Sequence, residues 1–150
     1  MNHRTTTTLI ALLGLAFSAA TLATTPEEAI KYRQGILTAQ KWNMSTMGEM
    51  VKGLKPYDKE DFAKRAANLA LLSKMLLEGF TAEGADKGES GSKAEVWVMP
   101  EKFKEGSEKL GVEATKLVQA AQGGDLKAIK TQFGEVQKAC KGCHKNFRNE

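Results

Sequence analysis

From Ile30 onward, apolar or long side chains return at alternating steps of three and four: Ile30, Arg33, Leu37, Gln40, Met44, Met47, Val51. That spacing predicts one face of an amphipathic helix. Both ends are punctuated. Thr25 is a good N-cap, Pro26 fits the first turn and Glu28 completes a capping box, while Gly53-Leu54-Lys55-Pro56 stops the pattern. A second helix opens at Asp58, with Glu60 and Asp61 at the positive end of its dipole. Phe62, Leu69, Leu72, Leu76 and Phe80 form its stripe, and Gly79 and Gly84 break it. A third starts near Pro100 and carries Phe103, Leu110, Ala114, Leu117 and Ala121 to Gly123-Gly124. Asp125 then caps a fourth, with the cleanest stripe in the chain: Leu126, Ile129, Phe133, Val136, Cys140, Cys143, Phe147.

Only one connection is long, the Gly-, Ser- and charge-rich stretch from Thr81 to Met99. Short links elsewhere make sequential helices antiparallel neighbours, so the expected fold is all-α, an up-down-up-down four-helix bundle. Val96-Trp97-Val98-Met99 is the one brief strand-like run, and it reads as loop packing.

The first 23 residues stand apart. Arg4 supplies a positive start, Leu9 to Phe17 a short apolar core, and Thr21-Leu22-Ala23 a small-residue cleavage site, with Ser18-Ala19-Ala20 as the alternative. Residues 1–23 are therefore expected to be a secretory signal, and residues 24–150 the single mature domain. The apolar run is too short to span a membrane. The whole chain has 22 Lys+Arg against 18 Asp+Glu. Losing Arg4 with the leader leaves 21 against 18, a mild and dispersed excess that argues against nucleic-acid binding.

Export matters because of the chain's 2 Cys and 2 His. Apart from His3 in the leader, these lie together as Cys140-Lys141-Gly142-Cys143-His144. This is the C-x-x-C-H haem attachment signature. Two thiols can add across the two vinyl groups of one porphyrin, and a separation of three residues keeps them on one helix face. His144 is then brought under the iron as its axial ligand. A thioredoxin-like pair would open a helix in a βαβ unit, not sit near the end of a last helix. A zinc site would need a further Cys or His, which residues 24–150 do not contain. A plain disulfide is the remaining alternative.

Several segments carry a family resemblance: Ile30-Lys31-Tyr32-Arg33-Gln34, Val51-Lys52-Gly53, Pro56-Tyr57-Asp58, Ala94-Glu95-Val96-Trp97, Gly123-Gly124-Asp125-Leu126 and Cys140 through Arg148. Together they resemble cytochrome c′ over nearly the whole mature chain. The resemblance implies one covalently attached haem c per chain, five-coordinate and high-spin, in a periplasmic homodimer. It implies binding of nitric oxide and carbon monoxide, and electron exchange with a redox partner that the sequence does not identify. Cys140 and Cys143 would hold the haem and His144 the iron. Leu37 stands at the distal position and Phe80 fits a distal wall, Arg33 and Gln34 match positions near the propionates, and Arg148 matches a basic residue on the proximal side. The chain departs from many members at Leu76-Leu77, where they have a Pro-Trp pair.

The residues add their own constraints. Only a short tail follows His144, so a sixth ligand would have to come from upstream. Met44 lies seven residues beyond Leu37, roughly 10 Å along a helix axis, too far to share that level. Met75 and Met99 are the alternatives, which would make the protein a low-spin Met/His electron-transfer cytochrome of the same bundle class. Arg33 and Gln40 interrupt an apolar stripe. Arg33 suits a bidentate contact to a propionate better than a snorkelling position at the rim; Gln40 has no assigned role. Peroxidase chemistry would want a distal acid–base group, and no second His is available, so a non-enzymatic haem protein is expected. An apolar distal face would give dioxygen no hydrogen-bond donor and disfavours oxygen storage.

Overall fold

The computed structural model describes residues 24–81 and 84–149. The expected leader, residues 1–23, lies outside the described residues. Among the described residues six helices follow in order: α1 (Pro26–Lys52), α2 (Lys59–Met75), α3 (Glu78–Thr81), α4 (Glu95–Val98), α5 (Pro100–Gly123) and α6 (Leu126–Phe147). The long ones, α1, α2, α5 and α6, make the bundle. None of the described helices is long and apolar enough to cross a membrane.

Local chemistry sets their ends. The Thr25 hydroxyl accepts from the Glu28 N–H while the Glu28 carboxylate accepts from the Thr25 N–H, so two donors at the start of α1 are satisfied reciprocally. Gly53, at φ 74°, closes α1 in the left-handed conformation that glycine adopts without a steric penalty. Asp58 caps α2 through the Asp61 N–H, and Asp125 caps α6 through the Lys127 N–H.

Cross-helix pairs fix the antiparallel order. Tyr32 on α1 donates to Glu78 on α3, just past the end of α2, and Asn68 on α2 donates to Asn43 on α1. Between α5 and α6, Phe103 meets Phe147 edge-on at 5.2 Å while Gln132 donates to Glu113. One core cluster joins Met47, Phe62, Leu69, Leu117, Ile129, Phe133 and Val136 from all four long helices. A second gathers Ile36, Leu76, Phe80, Val96, Phe103 and Phe147 at the other end. The helices pack unevenly: α2 lies close on α5, α5 on α6 and α1 on α2, whereas α1 and α6 touch little.

Three sequence expectations need correction. The second helix does not run on to Phe80; it ends at Met75, and Phe80 lies on the separate turn α3. There the Gly79 position comes so near α1 that an added Cβ would lie 2.8 Å from Arg33 Cβ. Val96 to Met99 is not plain loop: Glu95–Val98 form α4, with Val96 buried and Trp97 Nε1 donating to the Phe80 carbonyl. Finally, the core face of α1 includes Ile36 in place of Leu37, which is 38% exposed. Two adjacent apolar residues compete for one stripe, and a step of one residue turns about 100° around the helix.

Candidate functional site

Where α1 and α6 stand apart, they enclose a cavity of about 980 Å³. Such a volume is at the upper end of the roughly 300–1,000 Å³ typical of pockets for cofactors and small molecules. Arg33, Gln34, Leu37, Gln40 and Met44 line it from α1, and Cys140, Cys143, His144 and Phe147 from α6. Leu76, Phe80 and Phe103 contribute apolar wall, and Arg148 stands where α6 ends. All eight residues singled out by motif or resemblance, Cys140, Cys143, His144, Arg33, Gln34, Leu37, Phe80 and Arg148, thus border one space.

Both cysteines are free thiols and half-buried. Burial pushes both above the usual thiol range, Cys140 further helped by the neighbouring Cys143. Across from Cys143 stands Gly106 on α5, where an added Cβ would lie 3.0 Å from the sulfur. The absence of a side chain at 106 leaves Cys143 its place on the cavity wall. His144 is held below its ordinary pKa, first by burial and then by the Arg148 cation. A neutral imidazole with a free lone pair is the form that ligates a metal. Among the described residues no group of three or more Cys, His or carboxylate side chains comes together. The donor set is that of a haem, with two thiols, one imidazole and a large apolar space, and not that of a multidentate metal cage.

Arg33 does not snorkel to the rim. It is 1% exposed, and its guanidinium donates to the carbonyls of Gly79 (3.1 Å) and Ala85 (2.8 Å) and to Ser90 Oγ (2.9 Å). It also lies over the rings of Phe80 (4.9 Å) and Trp97 (5.4 Å). Burial lowers its pKa. Three of five donors are spent on neutral acceptors, and among the described residues no carboxylate pairs with this buried cation. An anionic group such as a propionate would fit that need. Gln34, in contrast, is exposed at the mouth.

The methionine alternatives separate. Met44 lines the cavity. Met75 and Met99 pack against the aromatic cluster of Phe80, Phe103 and Phe147 and are not part of the cavity wall. Sequence reasoning had no signal for Ala85 and Ser90 as partners of Arg33, since backbone carbonyls carry no side-chain signature. Gly106 carries no distinguishing signal either, since Gly35, Gly111 and Gly134 also sit within helices and an added Cβ there would meet nothing within 4 Å.

Comparison with known proteins agrees with this geometry. The sequence profile of the Cytochrome C' family matches residues 28–148. The chain belongs to the cytochrome c′ family. Cytochrome c' of Halomonas halodenitrificans is 42% identical over 130 residues, covering 83% of this chain and 98% of that protein. The structure of cytochrome c prime from Shewanella frigidimarina superposes with a TM-score of 0.80 at 37% identity, covering 84% of this chain and 98% of that one. A nitric oxide complex of a mutant cytochrome c prime from Alcaligenes xylosoxidans superposes with a TM-score of 0.77 at 31% identity, covering 84% and 97% respectively. Family membership implies a c-type haem.

Proposed function

We propose that this chain is a periplasmic, non-enzymatic haem protein that carries one covalently attached haem c, binds small gases such as nitric oxide and carbon monoxide, and exchanges electrons. The observation that carries the reading is the placing of Cys140, Cys143 and His144 along one wall of a largely apolar cavity that faces α1. Cys140 and Cys143 would form the thioethers and His144 would ligate the iron. When bound, the haem supplies a coordination site for gases and a one-electron couple.

The chain's own residues do the rest. Leu37 presents a hydrocarbon side chain from the opposite wall, restricting what can approach, and Phe80 closes one end. Arg33 and Gln34 offer donors to carboxylates, and Arg148 adds to burial in lowering the His144 pKa. Gas binding is further supported by the nitric oxide complexes of the Alcaligenes xylosoxidans protein. Lys41, Lys52, Lys141 and Arg148 stand along the cavity with Glu49 as the only acid among the described residues there, which suits a redox partner with an acidic face. A homodimer would bury Trp42 and Leu71, 71% and 61% exposed on the outer faces of the adjoining α1 and α2.

The absorption spectrum of the purified ferric protein tests the reading. A high-spin pattern is expected, together with haem that stays with the denatured chain through acid and organic solvent. Haem lost to the solvent would refute the covalent attachment, and a low-spin spectrum would favour a methionine ligand.

A further inference from the structure

On α1, one polar residue of the cavity wall is both buried and left with an unpartnered donor. Gln40 is 8% exposed and lines the cavity, and its Nε2 is sealed from solvent with no hydrogen-bond partner. A buried amide donor without an acceptor is costly, and a Leu or Met would fill the same volume without that penalty. Gln40 lies three residues after Leu37, so the two share a face of α1 one turn apart. That face looks across the cavity to the α6 wall that carries Cys140, Cys143 and His144. The terminal amide torsion is soft, so the N–H groups can swing toward an acceptor in the cavity while the backbone stays in place.

We propose that the Gln40 carboxamide donates a hydrogen bond to a diatomic ligand held in the cavity, favouring ligands whose outer atom gathers negative charge. The assignment rests on the reading of the cavity as a gas-binding haem site. It replaces the expected wholly apolar distal face with one that discriminates. Leu37 limits approach by bulk, and Gln40 rewards charge. Dioxygen and nitric oxide gain from such a donor more than carbon monoxide, whose outer atom carries little charge.

The experiment uses the holoprotein with Gln40→Met and Gln40→Leu, both close in volume and without a donor. The first readout is the vibrational stretching frequency of the bound gas, which donation lowers; both variants are expected to raise it. A net hydrogen bond of the usual strength corresponds to about a two- to tenfold change in an equilibrium constant. Retention of dioxygen or nitric oxide should therefore fall by that factor, with carbon monoxide affected less. The denaturation midpoint should stay level or rise, because an orphan donor has gone; this also shows that the variants are folded. If wild type binds carbon monoxide and the variants leave stretching frequency and ligand ranking unchanged, Gln40 does not donate to the ligand, while the reading of the site stands. A shifted reduction potential with unchanged frequencies would assign the amide to the haem carboxylates and equally overturn the proposal. If wild type neither retains haem nor binds carbon monoxide, the reading of the site fails and this inference with it.

Discussion

Replacing Arg33 by Leu tests how the long connection is fastened to the bundle. The guanidinium bonds to the carbonyls of Gly79 and Ala85, both buried residues, and to Ser90 Oγ. Removing it orphans two carbonyls, at about 1–2 kcal/mol each, and forfeits the contacts to Phe80 and Trp97, worth about 0.5–1 kcal/mol. Relief from no longer burying a cation offsets part of this, because burial already works against the charge. The net expectation is a loss of about 3 kcal/mol, or roughly 10 °C in Tm for a domain of this size. Arg33→Lys should recover less than half, since one ammonium cannot serve three acceptors that a planar fork reaches together. Ser90→Ala, which removes one acceptor and leaves the carbonyls paired, should cost about 1 kcal/mol. Urea titration of the wild-type holoprotein and the three variants at one ionic strength provides the measurement. A redox titration on the same samples adds a second test. Loss of a cation near the haem should lower the reduction potential in Arg33→Leu, and Arg33→Lys should fall between. Wild-type stability in Arg33→Leu would refute the claim that this side chain ties the connection to α1. Identical potentials in wild type, Arg33→Leu and Arg33→Lys would remove Arg33 from the electrostatics of the haem.

Further outcomes follow from the same geometry. Leu37→Ala should open the α1 wall and raise carbon monoxide affinity, and Leu37→Met should move the ferric spectrum toward low spin; no change in either would place Leu37 away from the iron. Cys140→Ala should leave at most one thioether and lower holoprotein yield, read by haem retained after solvent extraction. Gly106→Val crowds the Cys143 sulfur and should cost about 1–3 kcal/mol, as overpacking does, measured by chemical denaturation. Glu113 is held below its usual pKa by donation from Lys116 and then Gln132. Its contribution to stability should be present above the unfolded-state value, about 4.3, and vanish as pH falls through the lower folded-state value. Denaturation of Glu113→Gln beside wild type from neutral to acid pH checks this, and a difference that persists at the acid end would refute it.

Much of the site was legible because its chemistry is local. Cys140, Cys143 and His144 lie within five residues on one helix, so spacing alone puts them on a common wall. Caps were legible for the same reason: Thr25 with Glu28, Asp58 and Asp125 each act within three residues of themselves. Periodicity failed where two adjacent side chains both qualify. Ile36 and Leu37 are equally apolar, and only the tertiary arrangement puts one in the core and the other at the cavity. It failed again at Leu76-Leu77, where an unbroken apolar pattern conceals the end of α2 and the start of α3, because a turn between buried residues needs no polar punctuation.

Arg33 shows why a cavity can persist at this place in a bundle. Two helices of a bundle normally close on each other, and here α1 and α6 are held apart with little direct contact. The described part of the long connection braces them from one end. Arg33 on α1 holds Ala85 and Ser90, while the tail of α6 holds Gly91, Ser92 and Lys93 through Asn149 N–H to the Gly91 carbonyl, the Ser92–Arg148 bridge and Lys93 N–H to the Phe147 carbonyl. The segment from Ala85 to Lys93 is therefore a strap fixed to both walls of the cavity, even though its composition reads as a surface loop. A cation in the interior is costly and would be a poor choice if packing were its only task. Fixing the strap while offering its unspent donors to an anionic cofactor would, on the proposed reading of the cavity, give the same guanidinium two uses and a reason for an arginine in a stripe that hydrocarbon would otherwise fill.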